Sequence, residues 1–306
     1  MVWTMHLPQA DDPPPFDFDA ALTVRDRDGR RVAAMALAVP IATILLTAPL
    51  AIALAAFGDG QVFAVGPGPQ LARSAAFVAQ VAASLAALAL AVLICAWAIF
   101  RRPLRSWITA APRFRWPLLA WAAAYTCIGV AVLMAAEALF RGAPEMPIFQ
   151  ADAGAGLRLA YALAALLGFL VAAAAEEVIF RGYLLQQIRA FVANPWVAVA
   201  GSAAVFALFH LEFDPVALIA RFLAGAAFAW AVLRLGGLEF AIGAHLGVNL
   251  MIALVQAPLL PEDVPVAGRL EDVALEILLA LYIAAGAEIA RRDRRLTLAP
   301  AISSPA

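Results

Sequence analysis

Hydrophobic positions along this chain occur in long runs that short polar segments separate. A helix needs about 20 mostly apolar residues to cross a bilayer. On this basis we predict eight membrane-crossing helices, over residues 33–57, 74–100, 116–140, 156–180, 196–211, 215–233, 238–256 and 273–290. The fifth run is the shortest, and it is counted as a crossing mainly because the distribution of charge requires one there.

The composition agrees with this pattern. Apolar residues make up 65% of the chain, against about 45–50% in ordinary soluble domains. Charged residues make up only 14%. These proportions exclude a soluble globular enzyme, a disordered protein and a typical nucleic-acid binder. The predicted fold is an all-α polytopic membrane bundle of about eight transmembrane helices, with the lipid bilayer as its surroundings.

The basic residues give the predicted orientation. All 21 are arginine. With a cytoplasmic N-terminus, fifteen of them fall on inner segments, four on outer segments and two within spans. This asymmetry follows the positive-inside rule and places both termini in the cytoplasm. The bias toward alanine and arginine is typical of a bacterial protein, so we predict a multi-pass protein of a bacterial inner membrane.

Three parts of the chain are distinguished by composition. Residues 1–32 form a predicted cytoplasmic tail that is acidic and proline-rich and ends in an arginine cluster, with the first 24 residues loose. Residues 33–290 form the eight-span membrane domain, and residues 291–306 form a second cytoplasmic tail. The chemistry of the protein is therefore expected in or at the bilayer.

Charged residues within spans are costly, which makes them the first candidates for function. The fourth predicted span contains Glu176 and Glu177 in succession, followed by Arg181. Glu177 and Arg181 are four residues apart on one helical face and can form an ion pair. Glu176 is rotated by about 100° and has no partner on its own helix. We therefore assign Glu177 and Arg181 to structure and Glu176 to general acid–base chemistry, while one structural ion network of all three is the alternative.

Two histidines also fall within predicted spans. The turn between the fourth and fifth spans centres on Ala193, and Glu176 and His210 are equally far from it along the chain. In an antiparallel hairpin they would lie at the same depth, on the order of 20 Å from the turn. His245 enters from the opposite turn, with Asn249 one helical turn deeper on the same face. These side chains can converge on one cavity, predicted to open toward the cytoplasm.

Such a cavity can activate water. Glu176 can accept a proton from a water molecule, the histidines can orient that water, and Asn249 can donate a hydrogen bond to a developing oxyanion. Alternatively, His210, His245 and Glu176 can hold a zinc ion together with a water. The compact H-E-x-x-H helix of many zinc proteases is absent from the sequence, so spacing alone leaves the metal open.

Three motifs carry a resemblance to a known family. Glu176-Glu177-x-x-x-Arg181, Phe206-x-x-x-His210 and His245-x-x-x-Asn249 follow one another on successive predicted helices. This order resembles the CAAX prenyl endopeptidase and bacteriocin-processing (Abi, or CPBP) intramembrane protease family, over about residues 116–256.

The resemblance implies an eight-span endopeptidase that cleaves a peptide or protein substrate. It implies that Glu176 activates water, that His210, His245 and Asn249 complete the site, and that Glu177 and Arg181 hold the helix. Phe206 would be a packing residue. Both a zinc-assisted and a metal-free glutamate mechanism remain open. The alternatives are a catalytically silent bacteriocin-immunity or partner-binding membrane protein and, ranked below it, a proton-coupled transporter.

Overall fold

A computed structural model of the chain describes residues 16–57, 68–142, 146–149, 153–256, 260 and 268–297. Residues 1–15 and 298–306 of the two predicted tails lie outside the described residues. The described part is built from helices and turns, with one isolated antiparallel bridge between Thr109 and Gly237. The predicted all-α class is therefore confirmed.

Eight long helices follow one another within the described ranges. They are α1 (Gly29–Phe57), α2 (Gln70–Phe100), α3 (Trp116–Arg141), α4 (Ala155–Phe191), α5 (Pro195–Phe209), α6 (Pro215–Leu235), α7 (Glu239–Gln256) and α8 (Asp272–Arg292). A short helix, α9 (Arg294–Thr297), follows α8, and 3-10 turns occupy Phe18–Ala21, Leu104–Trp107 and Pro147–Phe149. Each predicted span thus corresponds to one helix.

Seven of these helices, in the part of the chain that the structure describes, are long and apolar enough to cross a membrane. The exception is α5, which has 15 residues and a length of about 22 Å. That length is below the hydrocarbon thickness of about 30 Å. The fifth predicted span is therefore a helix in the structure, but α5 ends before it could cross a full bilayer.

Local sequence signals set where α5 and α6 begin. The Asn194 side chain accepts a hydrogen bond from the Trp196 backbone N–H, and Pro195 occupies the first turn, so α5 starts here. The Asp214 side chain caps α6 in the same way through Ala217 N–H. Between them, Leu211 adopts a left-handed backbone conformation with φ of 55°. The chain therefore reverses at the level where α5 ends.

Helix packing brings distant parts of the sequence together. α3 packs against α7, α2 against α4, α5 against α6, and α4 against α7. At the start of α3 and α7, the buried Arg115 guanidinium and Glu239 carboxylate form an ion pair of 2.7 Å. Because α4 contacts both α2 and α7, side chains from three parts of the sequence can meet around it.

The segment before α1 is docked rather than loose. Phe18 is buried, and Asp26 forms an ion pair of 2.9 Å with Arg102, with both side chains inaccessible to solvent. The Gln187 side chain donates a hydrogen bond of 2.5 Å to the Asp26 carbonyl oxygen. Residues 16–28 are thus held against the end of α4, because a buried arginine requires the acidic partner that this segment supplies. The prediction of a loose tail over the first 24 residues is therefore wrong for residues 16–24.

Candidate active site

The predicted ion pair on α4 is present. Arg181 donates a hydrogen bond of 2.8 Å to Glu177 Oε1, and both side chains are fully buried. The guanidinium also donates to the Gly225 carbonyl oxygen on α6 at 2.9 Å and lies 4.4 Å from the centre of the Phe206 ring. Glu177 and Arg181 therefore connect α4 to α5 and α6.

His245 on α7 contacts both glutamates. Its Nδ1 lies 2.9 Å from Glu177 Oε1, and its Nε2 lies 3.9 Å from Glu176 Oε2. A carboxylate paired with an arginine only accepts hydrogen bonds, so the Nδ1–H of His245 is the donor of this hydrogen bond to Glu177. In the neutral imidazole, Nε2 is then the unprotonated nitrogen that faces Glu176.

Two aromatic rings fix the orientation of this imidazole. Phe228 stacks on His245 with ring centres 5.1 Å apart, and Phe206 meets it edge-on at 5.9 Å. Phe206 also meets the His210 ring at 4.9 Å. Phe206 thus packs against both histidine rings, which agrees with a packing role.

Glu176 faces a cavity of about 430 Å³. The side chain is largely buried, and its Oε2 has no hydrogen-bond partner among the described residues. His210 lines the same cavity at the end of α5. Glu176 and His210 thus line one cavity, and their equal depth in the bilayer stays a prediction. Glu177, whose Oε2 is also unpartnered, does not line that cavity.

The His210 ring is held by its own helix. Its Nδ1 lies 2.9 Å from the Phe206 carbonyl oxygen, one turn earlier. A carbonyl oxygen only accepts, so Nδ1 is the donor and Nε2 of the neutral ring is unprotonated. Because α5 ends at Phe209, His210 lies at the helix end rather than inside a crossing helix.

Asn249 lies one turn beyond His245 on α7 and is half-buried. Within the described residues, its side chain makes no hydrogen bond to Glu176, His210 or His245. The structure therefore joins Glu176, His210 and His245 around one site and leaves the role of Asn249 as a prediction.

The predicted zinc ligands do not form a metal-binding group in this arrangement. Among the described residues, no set of three or more His, Cys, Asp or Glu side chains has a geometry that could hold a metal ion. His245 Nδ1 contacts Glu177, and its Nε2 lies 3.9 Å from Glu176 Oε2. Zinc binding therefore stays a prediction, and no step is derived through a metal.

Sequence reasoning missed one wall of the site. Five residues of α2 line the cavity together with Glu176: Phe77, Gln80, Val81, Ser84 and Leu85. Helix α2 lies outside the predicted core of residues 116–256. A signal was present, since Gln80 and Ser84 are polar residues deep within an apolar span and such residues are expensive there.

The sequence also gave no indication of the helix geometry beside the glutamates. From Val178 to Leu185, α4 is a π-helix, a distortion that occurs often at functional sites. The Phe180 carbonyl oxygen in this segment accepts a hydrogen bond of 3.1 Å from the Ser202 hydroxyl of α5. A side chain from a neighbouring helix thus helps to satisfy the altered backbone.

Comparison with known proteins bears on this arrangement. No curated protein and no solved structure matches the chain. A family model described as type II CAAX prenyl endopeptidase Rce1-like matches residues 158–251, a range that runs from α4 into α7 and contains every predicted site residue. The resemblance of this chain to the CAAX prenyl endopeptidase (CPBP) family is thereby confirmed over residues 158–251.

Proposed function

We propose that this protein is an intramembrane endopeptidase that hydrolyses a peptide bond by means of a water molecule activated by Glu176. The observation that carries the proposal is the buried Glu176 carboxylate, which lines a cavity and has an unpartnered Oε2. A general base must reach the proton that it removes, directly or through one water. A water in this cavity would meet that requirement, and the family match supports peptide hydrolysis as the reaction.

The proposed reaction has two proton transfers. Glu176 takes a proton from the water as the water oxygen attacks the carbonyl carbon of the substrate. The tetrahedral intermediate then collapses with cleavage of the C–N bond, and Glu176 returns the proton to the leaving amine. This sequence consumes one water and leaves a carboxylic acid and an amine as products.

The histidines have separate roles in this mechanism. Glu177 fixes the tautomer of His245, so that the unprotonated Nε2 can accept a hydrogen bond from the water. His210 lines the cavity, where its Nε2 can orient the same water or the leaving amine. We further propose Asn249 as the donor to the oxyanion, a role that a preorganised amide suits.

Substitution of the proposed base tests the function. Glu176→Gln keeps the size of the side chain and removes its capacity to act as a base, so we expect cleavage to fall by at least about 100-fold. The measurement is hydrolysis of a quenched-fluorescent peptide library by purified protein in detergent. Glu276→Gln, a glutamate of α8 outside the cavity lining, is the matched control and should retain activity.

Two outcomes would replace this proposal. Wild-type protein that retains library peptides without cleaving them would favour the silent partner-binding protein. Proton-dependent uptake by reconstituted vesicles, lost in Glu176→Gln, would favour the transporter. Equal cleavage by wild type and Glu176→Gln would remove Glu176 from the mechanism while leaving the protease assignment in place.

A further inference from the structure

The turn between α5 and α6, residues 211–214, follows directly after His210. His210 is the first residue beyond the end of α5, where helices fray unless other contacts hold them. Its neighbour Leu211 has a left-handed backbone conformation with φ of 55°. This conformation is unfavourable for a leucine and persists only where the surrounding structure holds it. The place of His210 at the cavity therefore depends on the contacts that fix this turn.

Two acidic side chains of the turn supply such contacts. Asp214 caps α6, and its Oδ1 also accepts a hydrogen bond of 3.3 Å from the Gly268 N–H. Glu212 forms an ion pair with Arg221, which lies two helical turns into α6. Both partners of this pair are half-buried, so their attraction is screened less than it would be on an open surface in water. The pair thus ties the middle of the turn to the body of α6.

Arg221 belongs to a face of α6 that contacts the candidate site at three levels. Arg221, Gly225 and Phe228 are spaced by four and three residues, so they lie on one side of the helix. The Gly225 carbonyl oxygen accepts a hydrogen bond from the buried arginine of α4, and the Phe228 ring stacks on His245. Arg221, one turn nearer the start of α6, holds the turn that follows His210. The same face thus supports one histidine directly and the other through the turn.

We infer that Glu212 and Arg221 are positioning residues, whose ion pair holds residues 211–214 against α6 and thereby keeps His210 at the cavity. This inference rests on the proposed peptidase function, in which His210 orients the water or the leaving amine, and it adds two residues from outside the three sequence motifs. Neither of them belongs to the described lining of the cavity, and neither takes part in bond cleavage. Their effect on the reaction passes through His210.

Removal of the ion pair tests this inference through kcat and KM. Glu212→Gln keeps the size of the side chain and removes its charge, so kcat for the best-cleaved library peptide should fall about 10-fold while KM changes by less than about 2-fold. Arg221→Lys can keep the pair and should retain more of kcat than Arg221→Gln. Asp19→Asn is the matched control, because Asp19 forms a half-buried ion pair of 2.7 Å with Arg189 outside the cavity lining. This control should leave kcat unchanged.

A double-mutant cycle separates positioning from a general loss of structure. His210→Ala protein has no imidazole to hold, so adding Glu212→Gln should cause no further fall in kcat, measured with enzyme in excess over peptide. An ion pair with only a structural role would cost the same factor in both backgrounds. That result, or an unchanged kcat in the Glu212→Gln single variant, would overturn the inference. Where His210→Ala cleaves too slowly to measure, the mobility of a label on the turn decides instead.

This label measurement needs no catalysis and keeps the test apart from that of the peptidase function. A nitroxide is attached at Phe213→Cys, an exposed position of the turn, in a background with Cys95 and Cys127 replaced by alanine. Its mobility, measured by electron paramagnetic resonance, should rise with Glu212→Gln and stay unchanged with Asp19→Asn. If wild type cleaves no peptide, the peptidase function fails, while a more mobile label still supports the hold of the ion pair on the turn. If wild type cleaves peptides and the label mobility is unchanged, the ion-pair inference alone fails.

Discussion

At the scale of single residues, Glu176 and Glu177 are neighbours in sequence with different surroundings. Both carboxylates have an unpartnered Oε2, but Glu177 Oε1 accepts hydrogen bonds from Arg181 and His245, whereas Glu176 lines the cavity. A helix turns by about 100° per residue, which directs the first side chain toward the cavity and the second toward the buried arginine. In the proposed mechanism, the same chemical group thus has a reactive role at Glu176 and a structural role at Glu177.

This difference predicts opposite effects of two matched substitutions. Glu177→Gln leaves the Arg181 charge buried without its counterion, so we expect unfolding to become easier by about 3–5 kcal/mol. Glu176→Gln removes no such pair and should change stability much less while abolishing cleavage. Unfolding of the purified variants in detergent measures the change in stability caused by each substitution. Equal stability of the two variants would show that the fold tolerates the buried Arg181 charge without Glu177 as its counterion.

At the scale of elements, α4 positions the site through its π-helical segment, Val178–Leu185. This segment packs against the connection between α2 and α3. A Cβ atom on Gly182 would lie 2.5 Å from the Trp107 carbonyl oxygen, closer than real Cβ atoms approach a backbone oxygen. The absence of a side chain at this position therefore allows α4 to approach that connection.

Substitution of this glycine tests the close approach. Gly182→Ala must move the backbone of one element, so we expect a destabilisation of about 1–3 kcal/mol. Gly156→Ala in the first turn of the same helix meets no atom within 4 Å and should be neutral or slightly stabilising. Thermal unfolding of the two variants gives the comparison. A Gly182→Ala protein as stable as Gly156→Ala would mean that the π segment is not tightly packed.

At the scale of the whole molecule, the polar side chains of the candidate site lie inside an apolar bundle of helices. The residues that face outward include many large hydrophobic side chains, as a lipid-facing surface requires. The arginine asymmetry further predicts that both termini lie in the cytoplasm of a bacterial cell. The site would then be reached from a defined side of the membrane.

Cysteine labelling on either side of α8 tests this orientation. Arg269 and Arg295 are exposed residues just before and just after that helix. In a background with Cys95 and Cys127 replaced by alanine, a membrane-impermeant maleimide added to intact bacterial cells should label Arg269→Cys and spare Arg295→Cys. The reverse result would invert the orientation, and equal labelling would mean that α8 does not cross.

Much of this protein follows from its sequence. Eight apolar runs correspond to eight helices, because a backbone in hydrocarbon must satisfy its hydrogen bonds within each segment. The Glu177–Arg181 pair follows from helical periodicity, and the position of Glu176 and His210 on one cavity agrees with the short turn between two antiparallel helices. These features depend on local spacing, which can be read directly from the chain.

The tertiary structure decided the remaining features. The bond from His245 to Glu177 joins residues 68 positions apart, and the α2 wall with Gln80 belongs to a helix far from the motifs in sequence. Two further features likewise depend on contacts with neighbouring elements. They are the docking of residues 16–28 through Asp26 and Arg102 and the π-helical geometry beside Glu177. Helical period fixes which face a side chain occupies, but only the packing of one helix on another determines what that face meets.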